Sequence, residues 1–311
     1  MSVEIKFSQQ FSAPLAAFTS CSFSIIDCFF YLFSFSSGSA AVTLSSSLYN
    51  GSFTRCGFYN ITNTKSVTST SSCIYSNSAK HMKCIFCCFS YGYSQGSAHF
   101  GFHSNAGTVV YSDMNYSSEY GSGMRKNEQP YSSWIGGTTS LLIRNFNVSR
   151  CVSVYRGAIY ILSPFSNNDP IKFVQCSDCS AQGIVALISV ANPSMSNCNF
   201  INCIAKSYSI YSVSSSSELS IIQTLFVGKN SVSFANTNSL VLHLVDCIFT
   251  VPEQYLSATG VTMIDCIYNQ SDYTPSSFDS FDSDLCWRLG YTHQIKRPDG
   301  KAFMIYIMLF Q

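Results

Sequence analysis

Cysteine is the residue type through which this sequence could most readily do chemistry. The chain of 311 residues contains 15 cysteines. Two pairs, Cys84 with Cys87 and Cys176 with Cys179, have the separation of zinc half-sites, in which four thiolates hold the metal tetrahedrally. The two pairs lie far apart in sequence, and a repeat structure would place several turns between them. We therefore predict no metal site and expect most of these thiols to be buried.

Two histidines offer a second candidate metal site. His99 and His103 share one face of an alternating segment, and a carboxylate from a neighbouring turn would complete a ligand set. Outward polar residues are far more common on such a strand than metal ligands. We predict neither a metal nor a cofactor here.

Acidic residues are the natural candidates for cleavage of a polysaccharide, which needs two carboxylates about 5–10 Å apart. Asp27, Asp246 and Asp265 each precede a cysteine, so their spacing follows a repeat and predicts turn residues. The basic residues that would line one exposed side are Arg144, Arg150 and Arg156. No converging pair of carboxylates can be named, so we predict no catalytic residues. A carbohydrate-active β-helix enzyme, a polysaccharide lyase or hydrolase, is kept as the alternative.

The elements that would position these residues are set by an internal repeat. Residues 171–268 contain similar units, and the distance from Cys176 to Cys198 indicates a period of about 22 residues. Each unit has short apolar or alternating runs separated by Ser, Asn, Gly or Pro, which is typical of strands and turns. Helices would need apolar residues three and four positions apart.

The sequence therefore predicts an all-β fold: a right-handed parallel β-helix of about 22-residue coils, with a pectin-lyase-like architecture. The expected β-helix covers residues 13–270 and has a protruding loop near residues 117–133. Residues 271–311 are expected to form a C-terminal tail or cap, or part of a stalk. The residues expected to fill the repeat core are Cys56, Cys151, Phe173, Cys176, Cys179, Cys198, Phe200, Cys203, Cys247 and Cys266.

Composition and sequons bear on location. Only 11% of the residues are charged and the net charge is +1, so a nucleic-acid partner, which needs a basic stripe, is not expected. Abundant cysteine favours an oxidising compartment. The candidate N-glycosylation sites are Asn50, Asn60, Asn115, Asn147 and Asn269. No signal peptide is visible in residues 1–10, and residues 302–310 are shorter than the roughly 20 apolar residues that span a bilayer.

Short motifs resemble a known repeat family. Phe53-Thr-Arg-Cys56, Phe173-Val-Gln-Cys176 and Phe200-Ile-Asn-Cys203 resemble the FxxC half of polymorphic outer membrane protein (Pmp-type) repeats, and Arg156-Gly-Ala-Ile159 resembles the glycine-containing half. The resemblance implies a right-handed parallel β-helix of the kind found in surface proteins of bacteria and parasitic protists. It also implies an adhesin-like role.

The expected function is a non-catalytic extracellular or cell-surface scaffold for adhesion or interaction. Its expected partner is a surface protein or glycan of a host or neighbouring cell, and membrane association would need an anchor that is not visible in this chain. A third alternative is an intracellular solenoid stabilised by zinc or disulfide bonds.

Overall fold

The computed structural model describes most of the chain from Ser2 to Pro275. The described residues are 2–5, 10–11, 13–15, 21–36, 40–45, 48–64, 73–90, 93–94, 99–117, 120–121, 131–136, 140–150, 156–162, 171–188, 194–213, 218–228, 233–236, 241–256 and 260–275. Among them the structure is almost entirely β. The one helix in these ranges is a short 3₁₀ turn at Glu253–Tyr255.

The strands, in chain order, are β1 (Ser2–Ile5), β2 (Gln10–Phe11), β3 (Ser22–Ile26), β4 (Phe29–Phe35), β5 (Val42–Ser45), β6 (Asn50–Thr54), β7 (Gly57–Asn63), β8 (Ile74–Ile85), β9 (Cys88–Ser90), β10 (Tyr93–Ser94), β11 (His99–Ser117), β12 (Tyr120–Gly121), β13 (Tyr131–Gly136), β14 (Ser140–Ser149), β15 (Arg156–Leu162), β16 (Ile171–Ser177), β17 (Ser180–Ile188), β18 (Ser194–Ser196), β19 (Asn199–Ile201), β20 (Ile204–Val213), β21 (Glu218–Ile222), β22 (Leu225–Val227), β23 (Ser233–Asn236), β24 (Val241–Val245), β25 (Ile248–Phe249) and β26 (Val261–Ile264).

These strands stack in parallel columns. The first column runs β1, β3, β6, β8, β11, β14, β16, β18, β21, β24 and β26, and each strand pairs with the next. The second column runs β2, β4, β7, β9, β11, β14, β16, β19, β22 and β25. The third runs β5, β8, β11, β13, β15, β17, β20 and β23. The chain is therefore a parallel β-solenoid, which confirms the all-β coil expected from the sequence. The right hand of the coil stays a prediction.

The number of residues per coil is not constant. Arg55 lies 28 residues after Asp27, its counterpart in the preceding coil. Near the C-terminal end the step is shorter, because Val245 pairs with Ile264. A single coil length of about 22 residues therefore does not describe the N-terminal part of the solenoid.

Alternation along the strands separates the core from the outer faces. In β24, Leu242 and Leu244 are buried, whereas Val241 is exposed and His243 is half-buried. The same alternation occurs in β3, β6 and β21. Because successive side chains of a strand point to opposite faces, this pattern directs one apolar row of each coil into the core.

Aromatic rings form a stacked column inside the coil. Phe30, Phe58 and Phe89 stack with ring centroids 4.7 and 4.9 Å apart and nearly parallel planes. Farther along the chain, Phe200, Phe226, Phe249 and Tyr268 continue at 5.2, 5.0 and 5.7 Å. Val148 and Cys176 occupy the same column position between the two stacks. Each stacked pair adds about 0.5–1.5 kcal/mol to what the burial of its area contributes.

The described residues reach only part of the two remaining predicted segments. Of the loop expected near residues 117–133, residue 117 ends β11, residues 120–121 form β12 and residues from 131 onward form β13, whereas residues 118–119 and 122–130 lie outside the described ranges. Of the expected tail at 271–311, the structure describes residues 271–275.

Candidate interaction surface at the corners of the solenoid

Each coil turns sharply between the first and second strand columns, at a residue with left-handed backbone. We call this position the first corner; its φ values lie between 50 and 56°. Among the described residues, its members are Asp27, Arg55, Phe86, Asn145, Phe173, Asn197, Gln223, Asp246 and Asp265. A second corner follows five positions later and contains Leu32, Asn60, Arg150, Asp178, Asn202 and Gly228.

Residue type explains part of this pattern. Asp and Asn tolerate the left-handed region better than other side-chain-bearing residues, and they supply more than half of the first-corner positions. Asp27, Asp246 and Asp265 are all corner residues, which confirms the sequence prediction that they occupy turns. Phe86 and Phe173 are bulky residues for which this conformation is costly, so the surrounding coils must hold them in it.

Backbone hydrogen bonds continue from coil to coil through the first corner. The N–H of Asp27 donates to the carbonyl of Thr54 at 3.0 Å, and the N–H of Gly57 donates to the carbonyl of Cys28 at 2.9 Å. The same two bonds recur farther along, for example from Gln223 to Val245 at 2.9 Å. The backbone of these corners is thus hydrogen-bonded from coil to coil, as the strands are, which holds the corner backbone in place.

The residue after each corner is usually a buried cysteine whose thiol contacts backbone carbonyls. Cys56 Sγ lies 3.5 Å from the carbonyl of Thr54 in its own coil and 3.3 Å from that of Ile25 in the preceding coil. The same paired contact is made by Cys179, Cys203, Cys247 and Cys266. The thiol therefore serves as a small apolar filler that also donates weakly to the turn.

Thr224 takes this position in one coil. Its hydroxyl donates to the carbonyl of Ile222 at 3.1 Å and accepts the N–H of Cys198 at 3.4 Å. What the position requires is thus a small side chain with a hydrogen-bond donor, and sulfur itself is not essential.

Burial suppresses the reactivity of the corner thiols. It raises the pKa of Cys198 and of Cys247 to about 12. It also raises the pKa of Cys56 and Cys87 well above the usual range. Since the thiolate is the nucleophile and the metal ligand, these groups are poorly suited to either role.

One described cysteine is oxidised. Cys88 takes part in a disulfide bond. The other described cysteines are free thiols, and all but Cys21 and Cys266 are buried.

The first-corner side chains differ from coil to coil and most of them face outward. Arg55, Phe86, Gln223, Asp246 and Asp265 are exposed. They present in turn a cation, an aromatic ring, an amide and two carboxylates. Phe86 keeps 40% of its surface exposed in spite of its left-handed backbone. Because residues in sparsely populated backbone conformations cluster at functional sites, Phe86 is a candidate contact residue.

Sequence reasoning missed a pair of carboxylates. Asp246 and Asp265 occupy the first corner of consecutive coils, because Val245 pairs with Ile264. Neighbouring strands lie about 4.8 Å apart, so the two acidic residues are close together on the exposed side. The sequence sign of this pair is the Asp-Cys dipeptide, which recurs after a short coil. The register of the two coils is needed to show that the two aspartates are neighbours.

The residues expected to fill the repeat core do not share one position. Phe53, Phe173 and Phe200, which open the three FxxC motifs, lie respectively before the first corner, at it and after it. Cys176 stands level with Phe200 in the aromatic column, and Cys198 follows a first-corner residue. The alignment of these motifs as one repeated unit was therefore wrong.

Most of the residues expected to fill the repeat core are nevertheless buried. Cys56, Cys176, Cys179, Cys198, Phe200, Cys203 and Cys247 are buried. Phe173 and Cys266 are half-buried, and Cys151 lies outside the described residues.

The sequons differ in exposure. Asn50 and Asn269 are exposed, and Asn60 and Asn147 are half-buried. The backbone of Asn115 lies in β11, and its side chain lies outside what the structure describes.

Of the remaining sequence candidates, the structure describes the side chains of Arg144 and Arg150. Arg144 is exposed beside Lys172, and Arg150 is exposed at the second corner, so the two arginines occupy different positions of the coil. His99 and His103 lie in β11, which the structure describes only as backbone at these positions. Within the described ranges, no three His, Cys, Asp or Glu residues are placed to hold a metal ion.

The same ranges contain no helix long and apolar enough to cross a membrane.

Comparisons with known proteins returned no relative: no family model matches the chain, and no curated protein or solved structure is significantly similar to it.

Proposed function

We propose that this protein is a non-catalytic interaction scaffold that works outside the cell or at a cell surface. Its solenoid would present the exposed corners and strand faces to a surface protein or glycan of a host or neighbouring cell. We also take the coil to be right-handed, as are about 98% of parallel crossover connections. The proposal does not depend on the Pmp-type resemblance.

The observation that carries this proposal is the contrast between the two sides of the first corner. On the inner side nearly every described coil has a small or apolar buried residue, usually cysteine, with a recurrent hydrogen-bonding pattern. On the outer side the residue changes in charge, size and polarity. Solenoid proteins build extended binding surfaces in this way: the buried residues of each coil stay similar, and the exposed residues vary from coil to coil.

Three features support the extracellular part. Cys88 is disulfide-bonded, which is favoured in oxidising compartments. Asn50 and Asn269 place two sequons on the exposed surface. Most of the free thiols are buried and some have a raised pKa, so they would be oxidised slowly in such a compartment.

Secretory expression tests the location. The chain is fused to a cleavable signal peptide in a eukaryotic host, and its intact mass is measured before and after enzymatic removal of N-glycans. We expect secreted protein with glycans at Asn50 and Asn269, and loss of each glycan in Asn50→Gln and Asn269→Gln. Retention of unglycosylated, fully reduced protein inside the host would contradict an extracellular role.

Binding to arrayed glycans and to intact cell monolayers tests the interaction. The probe is the fluorescently labelled protein in multivalent form, because scaffolds of this kind gather many weak contacts. Phe86→Asn removes the exposed ring and should weaken binding while keeping the corner backbone, since Asn tolerates the corner conformation. Thr262→Ser, on an exposed strand face away from the corner, is the control. Equal binding by all three proteins would argue against the corner as the contact surface.

The adjacent pair Asp246 and Asp265 favours a second candidate, a carbohydrate-active enzyme. Retaining glycosidases hold their two carboxylates about 5 Å apart, and the backbone spacing of about 4.8 Å between neighbouring strands is compatible with that separation. Release of oligosaccharides from a panel of plant, algal and animal polysaccharides would be measured for the wild type, Asp246→Asn and Asp265→Asn, with Asp178→Asn as the control. Turnover lost in the first two variants and kept in the control would replace the scaffold proposal.

A further inference from the structure

Two corner cysteines face each other at the C-terminal end of the described solenoid. Cys247 and Cys266 follow first-corner residues in consecutive coils, and the N–H of Ile267 donates to the carbonyl of Cys247 at 2.9 Å. The parallel register on both sides of the corner keeps the two residues level. Neighbouring strands are about 4.8 Å apart, which lies inside the Cα separation of about 4.4–6.8 Å that a disulfide bond tolerates.

This pair differs from the other facing pairs in access to solvent. Cys28, Cys56 and Cys87 face one another in consecutive coils, as do Cys179 and Cys203, and all five are buried. Cys266 is only half-buried. Its partner Cys247 is fully buried. Within the described ranges, this is the one facing pair in which a thiol is not fully buried, so an oxidant can reach it most readily.

We propose that Cys247 and Cys266 are a redox-sensitive pair that forms a reversible disulfide bond by exchange with a low-molecular-weight disulfide such as glutathione disulfide. The bond would tie the coil that contains β26 to the coil that contains β24. This inference is independent of the proposed scaffold function.

The exchange has two steps. The Cys266 thiol loses its proton, and its sulfur attacks glutathione disulfide. The S–S bond of that molecule breaks, which gives a mixed disulfide and one glutathione thiolate. Cys247 then loses its proton and attacks the sulfur of Cys266, and a second glutathione thiolate leaves. The two protein thiols are oxidised by two electrons, glutathione disulfide is reduced by two electrons, and the two released protons end on the two glutathione thiols.

The buried state of Cys247 sets the relative rates of these steps. Burial raises its pKa to about 12, so little thiolate is present near neutrality. The second step should therefore be the slower one and should accelerate up to about tenfold for each unit of pH. The mixed disulfide at Cys266 is expected to accumulate first and then to disappear.

Peptide mapping of the folded protein tests the proposal. Wild-type protein is incubated with glutathione disulfide, the remaining thiols are alkylated under denaturing conditions, and the digest is analysed by mass spectrometry. We expect a peptide that joins Cys247 to Cys266 and that dithiothreitol separates again. Cys21 is the matched control, because it is half-buried like Cys266 but the register places it level with Tyr49. It should keep its glutathionyl group.

Two variants complete the experiment. Cys247→Thr should retain the mixed disulfide at Cys266, and Cys266→Thr should react at neither position. Thr224 already occupies an equivalent corner, so both variants are expected to fold. Hydrogen exchange of the β26 amides should slow at least severalfold on oxidation of the wild type and not of the variants. Absence of the linked peptide in folded wild-type protein overturns the proposal. Linkage of the buried pair Cys179 and Cys203 at the same rate also overturns it. If a variant does not fold, the peptide mapping of the wild-type protein decides by itself.

Discussion

Arg55 lies directly beside Asp27 of the preceding coil and binds its carboxylate with two hydrogen bonds, Nε to Oδ1 at 2.5 Å and Nη2 to Oδ2 at 2.7 Å. Both residues are first-corner residues with left-handed backbone. The carboxylate holds the pKa of the Arg55 guanidinium above its usual value, chiefly through the hydrogen bond. The pair shows that corner side chains of consecutive coils are close enough to act together, although the backbone between them is 28 residues long.

The Asp27 and Arg55 pair should contribute little to stability, because both groups are partly exposed and screened by solvent. Asp27→Asn should lower the free energy of unfolding by less than about 1 kcal/mol, and less at high salt. Asp27→Ala should cost roughly 1–2 kcal/mol more, since alanine disfavours left-handed backbone. Urea midpoints at low and high salt measure both effects. Asp246→Asn is the control, because it makes the same change at the same corner of a coil whose neighbour supplies a carboxylate and not an arginine. Equal losses of stability for Asp27→Asn and Asp27→Ala would contradict the assignment of the larger cost to the backbone.

Sequence alone was sufficient for the fold class and for some of the turns. Two kinds of pattern are local in the sequence: the alternating apolar residues of strands such as β24, and the Asp-Cys turns at Asp27, Asp246 and Asp265. A local pattern can be recognised even where the coil length changes. The left-handed backbone of Phe86 could not be predicted, because residue preference opposes it and only the packed coils enforce it.

The register was the part that sequence could not supply. Phe200 and Cys176 occupy one column position, which no similarity of residue type reveals. Insertions in the turns change the coil length, so equal spacing of cysteines does not imply equal position. The facing pairs Asp246 with Asp265 and Cys247 with Cys266 depend on that register, which the structure establishes.

Thr224 should be replaceable by cysteine but not by valine. Thr224→Val keeps the shape but leaves the N–H of Cys198 and the carbonyl of Ile222 without the hydroxyl. The expected loss is about 1–3 kcal/mol, the cost of an unsatisfied buried polar group. Thr224→Cys restores the side chain found at most described corners and should stay within about 1 kcal/mol of the wild type. Chemical denaturation compares the two, and equal stability of both variants would show that the hydroxyl contributes nothing.

Gly57 should not tolerate a methyl group. A Cβ at this position would lie 2.4 Å from Cδ2 and 2.6 Å from Cε2 of Phe29, so the ring would have to move from its buried place. Gly57→Ala should destabilise the fold by about 1–3 kcal/mol. A double-mutant cycle with Phe29→Leu measures the coupling. If the ring is the cause, Phe29→Leu should recover part of the loss in the Gly57→Ala background; a purely additive cycle would place the cause in the backbone.

The buried thiols should make the fold sensitive to alkali. Burial raises the pKa of Cys198 and of Cys247 from 9.0 to about 12. Below pH 9 both groups are protonated in the folded and the unfolded chain, so their ionisation does not affect folding. Between pH 9 and 12 the unfolded chain releases these protons and the folded chain retains them, so stability falls as pH rises. The slope should approach about 1.4 kcal/mol per pH unit for each thiol.

Urea midpoints from pH 7 to 11 provide the measurement, with the double variant Cys198→Thr and Cys247→Thr as the comparison. A threonine hydroxyl does not titrate in this range, so the variant should lose stability less steeply; parallel curves for the two proteins would show that these thiols are not the groups that respond to alkali.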